Sequence, residues 1–330
     1  MVQKTGLTLG KYAPLHKGHQ YIIETALKEV NTLIILVYDC PETIDVPLKV
    51  RADWIRKLYP KAEVIEARGG PMEVGDTPEI KKKNEDYILK ILNGRKITHF
   101  YCSEFYGDHM SRALNAKNRT IDKERNMYNI SGTLIRTDYY KYREYIDPVV
   151  YSGLIVNAVF LGAPSTGKTT LTSALAGELN TAWMPEYGRE YWAKNNVNRR
   201  LTLEQLVDIA EIHLKKENEM IFNAKKVLLT DTNAITTYLF SFYYHGKAHS
   251  RLKELADQAG SRYDLVFLCD IDIPYDNTAD RSGETNRIDF HEKTIAYLQK
   301  KKINFVLVKG SLKDRIELVK DKLKSYKKYC

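Results

Sequence analysis

Two histidines stand three residues apart in the segment GKYAPLHKGH, at His16 and His19, with Gly18 between them. The run TGLTLG before this segment predicts a strand, and YIIETALKEV after it predicts a helix. At the start of a helix, residues three apart share one face, and free backbone N–H groups there attract anions. We therefore expect the two imidazoles and Lys11 to bind a phosphate-bearing ligand.

The segment NISGTLIR predicts a second anion site. Ser131, Gly132 and Thr133 would begin a helix with hydroxyls and N–H groups, and Arg136 lies one turn further on. Taken alone, the segment could be an ordinary helix cap. The histidine pair is poorly explained by chance, because HxGH is expected on the order of 0.01 times in a chain of this composition.

The first segment resembles the G-x-F-x-P-x-H-x-G-H signature of the cytidylyltransferase-like nucleotidyltransferases, with Tyr12 where phenylalanine is usual, and NISGTLIR resembles their I-S-x-T-x-x-R. The resemblance implies that His16 and His19 stabilise the phosphates and the charge that develops at the α-phosphate. Catalysis would then consist mainly of positioning and electrostatics, because the substrate's own phosphate is the nucleophile. The other ATP-binding residues that it implies are Gly10, Lys11, Tyr12, Ser131, Gly132, Thr133 and Arg136.

A third phosphate motif lies in the second half of the chain. GAPSTGKT, Gly162–Thr169, fits G-x(4)-G-K-[ST] between a predicted strand and a predicted helix, as a P-loop requires. Its backbone N–H groups would hold phosphates, Lys168 would reach the β and γ oxygens, and Thr169 would bind Mg²⁺. The expected ATP-binding residues are Gly162, Ser165, Thr166, Gly167, Lys168, Thr169 and Thr170.

Acidic and aromatic residues near the P-loop are candidates for the phosphoryl acceptor site. Asp231, in LLTDTN, would organise Mg²⁺ or act as base, with Glu186 as the alternative base and a turn cap as the structural alternative. Glu186, Tyr187 and Arg189, in PEYGREY, suit a polar sugar or an aromatic ring, although a charged helix start explains them equally well. In DNTADRSGETNR, Arg281 and Arg287 could bind ATP from a mobile lid over the transferring phosphate, or could lie in a merely solvated loop.

The pairing of the two kinds of motif resembles the bifunctional nicotinamide-nucleotide adenylyltransferase / ribosylnicotinamide kinase family of the NadR type. The likeness extends over CSEFYG, EYGREY, DTN and RYDLVFLCDIDIPYDNTADR, with Tyr275 where the family usually has tryptophan. It implies that ATP and Mg²⁺ serve two steps, from nicotinamide riboside to its mononucleotide and then to NAD. Enteric members carry an N-terminal helix-turn-helix repressor domain, and we expect this chain to lack it.

The nicotinamide ring is a flat cation that favours an aromatic face. Trp54, in RADWIRKLYP, is the candidate in the first half, with a core tryptophan on an amphipathic helix as the alternative. Two other functions stay open. The chain could act on a different small phosphorylated substrate, or it could be a non-catalytic nucleotide sensor, although intact His16, His19, Lys168 and Asp231 argue against lost activity.

The elements that must position these residues alternate regularly, which predicts an α/β fold with two parallel-sheet domains. A Rossmann-like nucleotidyltransferase domain is expected at 1–150 and a P-loop kinase domain at 151–330, with a break near EYIDPVVYSG. Strands are predicted at 7–12, 32–39, 62–67, 97–103, 154–162, 225–231, 263–270 and 304–310. Helices are predicted at 18–30, 49–58, 78–92, 131–141, 201–225 and 311–327.

Composition limits the cellular location and the kinds of partner. The chain has 330 residues, a net charge of +9 and four scattered cysteines, which predicts neither a disulfide framework nor a cysteine zinc site. No apolar run approaches the ~20 residues of a membrane span, and no signal peptide is recognisable, so a cytoplasmic location is expected. The positive charge comes without a nucleic-acid motif, so the expected partners are small molecules and not specific nucleic acid. Whether the chain forms a homo-oligomer stays open.

Overall fold

The computed structural model describes residues 3–71, 73, 75–104, 106–197, 200–275 and 284–329, except for the side chains of residues 284 and 285. The chain divides into two compact units between Leu154 and Ile155, and Tyr329 at the C-terminus groups with the first. Each unit is built around one five-stranded sheet. Among the described residues, no helix has both the length and the apolar character that crossing a membrane requires.

The first unit is a parallel sheet with the strand order β3-β2-β1-β4-β5. Its strands are β1 (Thr5–Gly10), β2 (Thr32–Tyr38), β3 (Glu63–Ala67), β4 (His99–Cys102) and β5 (Lys117–Thr120). Its helices are α1 (Lys17–Glu29), α2 (Leu48–Leu58), α3 (Pro78–Leu92), α4 (Gly107–Ala113), α5 (Gly132–Thr137) and α6 (Pro148–Leu154).

Burial explains why this sheet has its helices on both faces. The central strands are runs of apolar residues, and Leu7, Ile34 and Phe100 are buried between the sheet and the helices. Ile88 and Leu92, four residues apart on α3, cover one face of the sheet. Because β1 lies between β2 and β4, the loops after β1 and β4 lead to opposite faces and leave a crevice at the carboxyl ends of the strands.

The second unit has the parallel order β10-β9-β6-β8-β7. Its strands are β6 (Val156–Leu161), β7 (Trp183–Met184), β8 (Val227–Asp231), β9 (Leu265–Cys269) and β10 (Val306–Val308). Its helices are α7 (Lys168–Leu179), α8 (Tyr187–Asn195), α9 (Leu203–Ile221), α10 (Ala234–His245), α11 (Ser250–Ala259), α12 (Glu284–Lys300) and α13 (Leu312–Ser325).

Alternate residues of β6 pack against opposite layers of helices. Phe160 belongs to the core that includes residues of α7 and α13, whereas Val159 and Leu161 belong to the core on the other face. Two helix starts satisfy their backbone donors with capping boxes, at Thr202 for α9 and at Ser311 for α13. These caps fix where the two helices begin.

The prediction of two parallel-sheet α/β folds is confirmed, with local differences. The predicted helix 131–141 ends at Thr137, because the Asp138 side chain accepts a hydrogen bond from the Lys141 N–H and begins a separate turn. Sequence periodicity does not predict β5, a polar edge strand, or β7, which has only two residues. The predicted break near residue 150 contains the short helix α6, which Pro148 begins.

Candidate active sites

A cavity of about 570 Å³ lies at the carboxyl end of the first sheet. The β1–α1 loop forms one wall, with Gly10, Lys11 and Tyr12, and the predicted anion segment before α5 contributes another. This is where ligands bind in a sheet of this topology. The structure therefore brings both predicted phosphate motifs of the first unit to one cavity.

The two histidines are stacked in this cavity. The ring centroids of His16 and His19 are 3.7 Å apart, and the Tyr12 ring meets His19 edge-on at 5.0 Å. Gly18 makes the arrangement feasible, since a Cβ at this position would lie 3.1 Å from the His16 ring. The position of the first imidazole thus favours glycine at this point of HxGH, in addition to the access that glycine gives a ligand.

Both imidazoles are neutral near pH 7. Burial, followed by the nearby positive charge of Arg125, lowers the pKa of His16 to about 4. Burial, His16 and Arg125 lower the pKa of His19 well below its ordinary value. The Nδ1 atoms of both rings are buried without a hydrogen-bond partner among the described residues, so they are available to a ligand.

Positive charge in the cavity comes from side chains whose positions are fixed by other contacts. Arg136 donates from Nη1 to the Ala13 carbonyl at 2.6 Å, which ties the second motif to the first. Gly132 supports this docking, because a Cβ there would lie 3.1 Å from the same carbonyl oxygen. Lys11 lies 2.9 Å from Glu42.

Sequence reasoning missed two arginines of this unit. Arg125 lines the cavity and lowers the pKa of both histidines, but it stands in an irregular turn outside any recognisable motif. Arg51 is buried on α2 and donates to the backbone carbonyls of Lys11, Tyr38 and Val46, so it holds the β1–α1 and β2–α2 loops in place. Neither role has a local sequence signal.

Trp54 was proposed for the nicotinamide ring, and the structure corrects this interpretation. Trp54 is only 6% exposed, does not line the cavity and packs against Gly153, where a Cβ would approach its ring to 2.7 Å. Trp54 lies on the buried face of the amphipathic helix α2. The aromatic side chains that do line the cavity include Tyr38 and Tyr106.

The P-loop borders a cavity of about 310 Å³ in the second unit. Gly162 has φ 142°, and a Cβ there would lie 2.7 Å from the Cys269 carbonyl oxygen, so the loop can follow the sheet edge only with glycine. Lys168 begins α7, and its Nζ donates to the carbonyls of Gly162 and Ala163 at 3.0 Å. Ser165, Thr166, Gly167, Thr169 and Thr170 also line the cavity.

Asp231, the last residue of β8, faces the P-loop. Its Oδ2 accepts a hydrogen bond from the Thr169 hydroxyl at 2.5 Å, whereas Oδ1 is buried without a partner among the described residues. Burial raises the pKa of Asp231 to about 6, Lys168 opposes this shift, and Glu186 adds to it.

An adjacent hydroxyl and carboxylate fit Mg²⁺, which usually takes few protein ligands and several from phosphate and water. Within the described part of the chain, no cluster of three or more His, Cys, Asp or Glu side chains suits a metal ion. Thr169 is the residue that would hold Mg²⁺ together with the nucleotide phosphates, and Asp231 would either orient the metal through the Thr169 hydroxyl or act as a base.

Charged and aromatic side chains line the same cavity as the P-loop. Glu186 and Arg189, from PEYGREY, line the cavity, and their nearest side-chain oxygen and nitrogen lie 3.7 Å apart. Trp192, Phe240 and Tyr244 also line it, and none of the three was proposed from the sequence. The last two belong to AITTYLFSFYYH on α10, whose aromatic residues are too evenly spread for a pattern to single out the lining ones.

Three other predicted residues lie elsewhere. Tyr187 lines a neighbouring groove, where Lys216 lies 4.3 Å from its ring centroid. Arg287 is buried in the first turn of α12 and donates to the Ile273 carbonyl at 2.7 Å, so it belongs to a helix and not to a surface loop. Tyr275 contacts Arg287, with 5.8 Å between guanidinium carbon and ring centroid, and does not line the P-loop cavity. Arg281 lies outside the described residues.

Arg315 supports the P-loop from behind, which the sequence did not suggest. This residue of α13 is 2% exposed and donates to the backbone carbonyls of Thr166 and Gly310, at 2.7 and 2.9 Å. It also pairs with Asp272. The guanidinium thus links α13 to the phosphate loop across a long separation in sequence.

Family models match both halves of the chain. The cytidylyltransferase-like family matches residues 7–138, and a family described as an AAA domain matches residues 157–315. The trifunctional NAD biosynthesis/regulator protein NadR of Salmonella typhimurium is 30% identical, over 96% of this chain and 82% of that protein. The NadR protein of Escherichia coli is 28% identical, over 92% of this chain and 78% of that protein.

Solved structures show the same fold. A crystal structure of a NadR protein in complex with NAD and AMP-PNP superposes with a TM-score of 0.57 at 20% identity, over 99% of this chain and 98% of that one. Another, in complex with NR, gives a TM-score of 0.58 at 20% identity, over 98% and 97% of the two chains.

Proposed function

The chain belongs to the NadR family of NAD biosynthesis proteins, and we propose that it makes NAD from nicotinamide riboside in two steps that each consume ATP. In the first step, the second unit transfers the γ-phosphoryl group of ATP to the 5′-hydroxyl of the riboside. In the second, the first unit joins the resulting mononucleotide to the AMP part of another ATP and releases pyrophosphate. The observation that carries this proposal is the presence of two separate phosphate cavities, each lined by residues of one unit.

The kinase step requires a base for the hydroxyl proton and positive charge on the phosphates. The 5′-hydroxyl oxygen attacks the γ-phosphorus, the bond from that phosphorus to the ADP oxygen breaks, and the hydroxyl proton passes to a carboxylate. Asp231 suits this role because its Oδ1 has no partner within the described part of the chain and its pKa of about 6 leaves it mostly ionised at pH 7. Lys168 would leave the loop carbonyls for the β and γ oxygens. Mg²⁺, when bound, would neutralise charge on the same phosphates.

The aromatic wall of the P-loop cavity suits the acceptor. Trp192, Phe240 and Tyr244 offer π faces to a flat cationic ring, and Glu186 supplies a nearby negative charge. Glu186 forms an ion pair with Arg189, so Asp231 is the better candidate for the base. This division of roles predicts that Glu186→Gln weakens riboside binding more than it slows turnover.

The adenylation step needs no protein nucleophile. A phosphate oxygen of the mononucleotide attacks the α-phosphorus of ATP, and the bond to the β-phosphate oxygen breaks as pyrophosphate leaves. Neutral His16 and His19 would donate hydrogen bonds to the phosphates, and Lys11, Arg125 and Arg136 would supply the positive charge. Arg125 is included because its positive charge acts on both histidines.

One incubation tests the proposal. The full chain is mixed with ATP, Mg²⁺ and nicotinamide riboside, and the products are followed by mass spectrometry. We expect the mononucleotide to appear first and NAD to follow, with ADP and pyrophosphate as the by-products. Turnover of another phosphorylated acceptor but not of the riboside would support a different substrate, and ATP binding without any turnover would support a nucleotide sensor.

A further inference from the structure

His213 of α9 lines the P-loop cavity, although no phosphate motif includes it. The side chain is 5% exposed, and its Nε2 has no hydrogen-bond partner among the described residues. Buried polar atoms are nearly always hydrogen bonded, so an unpaired nitrogen in a cavity wall points to a ligand.

The hydrogen bonding of the ring defines what Nε2 can do. The imidazole bonds to the backbone of Thr232, whose own N–H is already donated to the Phe160 carbonyl, so the ring is the donor and the Thr232 carbonyl the acceptor. Burial and nearby Arg262 keep the imidazole neutral, with a pKa of about 4. Nε2 therefore carries a lone pair and accepts a hydrogen bond.

Thr232 contributes a second group to the same wall. It follows Asp231 directly and has φ 65°, a backbone conformation that a threonine rarely adopts. Its side chain is 6% exposed, and its Oγ1 also has no partner among the described residues. A neutral acceptor and a hydroxyl thus belong to two residues that line the same cavity, and one of these residues directly follows Asp231 in the chain.

The chemistry of these two groups excludes several ligands. His213 Nε2 is a hydrogen-bond acceptor, so it does not suit a phosphate, whose oxygens are acceptors as well. Neither group is apolar, so they do not suit the face of an aromatic ring, for which Trp192 and Phe240 are available. An acceptor and a hydroxyl from the wall of the P-loop cavity suit the hydroxyls of a sugar.

We infer that His213 Nε2 accepts a hydrogen bond from a ribose hydroxyl of the phosphoryl acceptor, that Thr232 Oγ1 binds the neighbouring hydroxyl, and that the two residues select ribonucleosides over deoxyribonucleosides. The inference rests on the proposed riboside kinase activity. His213 is not the base, because so weakly basic an imidazole would take up little of the hydroxyl proton.

The test compares nicotinamide riboside with its 2′-deoxy and 3′-deoxy analogues as acceptors for the full chain. The wild type should prefer the riboside by about 10²-fold or more in kcat/KM over at least one analogue, because that analogue leaves a buried polar group unpaired. His213→Leu should lower kcat/KM for the riboside by about 30-fold and change the value for that analogue by less than about threefold, so the preference collapses. His213→Gln, which restores an acceptor, should recover part of the preference.

Two further variants separate recognition from structure. Thr232→Val should reduce the preference for the riboside, whereas Thr230→Val serves as the matched control. Thr230 lies on β8 two residues before Thr232, is also buried and does not line the cavity, so its replacement should leave the preference unchanged. If His213→Leu does not fold, as judged by circular dichroism, His213→Gln and Thr232→Val carry the test.

An unchanged preference in folded His213→Leu, with both acceptors slowed equally, would overturn the inference and leave the kinase assignment intact. The same conclusion follows if the wild type does not discriminate between the riboside and either analogue. A wild type that phosphorylates no riboside would overturn the proposed function and this inference with it.

Discussion

Asp231 links activity to stability at the scale of a single residue. Its carboxyl has an ordinary pKa of 3.8 and a pKa of about 6 in the folded chain, so the fold favours the protonated form. The resulting destabilisation is absent below about pH 4, grows as the pH rises to about 6 and is complete above it. It amounts to as much as about 3 kcal/mol at neutral pH, since each unit of pKa corresponds to about 1.4 kcal/mol.

We expect Asp231→Asn to abolish riboside phosphorylation and to stabilise the second unit at pH 7, raising its thermal midpoint by a few degrees. The gain should disappear at pH 4, where the wild-type carboxyl is protonated. Thermal denaturation at the two pH values, together with a kinase assay, checks both parts. Asp289→Asn, which changes an exposed carboxylate on α12, is the control and should alter neither quantity. A variant that is less stable than the wild type at pH 7 would contradict the assignment of a strained carboxylate.

His19 separates the two reactions. We expect His19→Ala to lower NAD formation from supplied mononucleotide by about 10²–10³-fold, the usual cost of losing an electrostatic stabiliser, and to leave riboside phosphorylation intact. The matched control is His99→Ala, because His99 lies at the amino end of β4, away from the cavity. Equal losses of both activities in folded His19→Ala would contradict separate sites.

At the scale of elements, α13 supports the P-loop through Arg315. Arg315→Met removes donors to the Thr166 and Gly310 carbonyls and the ion pair to Asp272, so the loop loses its support from behind. We expect the KM for ATP in the kinase reaction to rise about tenfold and the free energy of unfolding of the second unit to fall by roughly 2–3 kcal/mol. Steady-state kinetics and chemical denaturation measure the two effects.

Lys313→Met, an exposed change on the same helix, is the control for Arg315→Met and should leave the KM for ATP unchanged. Arg315→Lys should not rescue the loop, because one ammonium group cannot reach several divergent acceptors. An unaltered KM in Arg315→Met would show that the P-loop keeps its conformation without α13.

The sequence predicted those elements whose function is local. The HxGH segment and the P-loop each place glycines and cations within ten residues, and the backbone needs them at those spacings whatever the rest of the chain does. The buried strands β1, β2, β6 and β8 were also predictable from local sequence, because continuous apolar runs indicate parallel strands.

Residues that act across the fold were not predictable in this way. His213 and Arg315 reach their sites from helices that tertiary packing positions, and a single histidine or arginine on an amphipathic helix has no distinguishing pattern. For Trp54 and Arg287, the sequence predicted a ligand contact that the structure does not show. Each was assigned to a ligand for its chemistry, but packing turned one into the core and placed the other, buried, on a helix.

At the scale of the whole molecule, the described residues that line each cavity all belong to one unit. We therefore expect Lys168→Ala to remove riboside phosphorylation and to leave NAD synthesis from supplied mononucleotide within about twofold of the wild type. Chromatography of the products from each starting substrate checks this. Lys168 is the only residue changed, so a parallel loss of NAD synthesis would mean that the adenylation reaction depends on the kinase unit.

The position of Trp54 in the core has a spectroscopic consequence. The chain has three tryptophans, of which Trp54 belongs to the first unit and Trp183 and Trp192 to the second. Because its indole is buried, Trp54 should fluoresce at short wavelength and report the unfolding of the first unit in a double Trp183→Phe/Trp192→Phe chain. Trp192 lines the P-loop cavity, so an electron-poor pyridinium ring bound there should quench its emission. Two optical signals, one for folding and one for acceptor binding, are thus built into a single unlabelled chain.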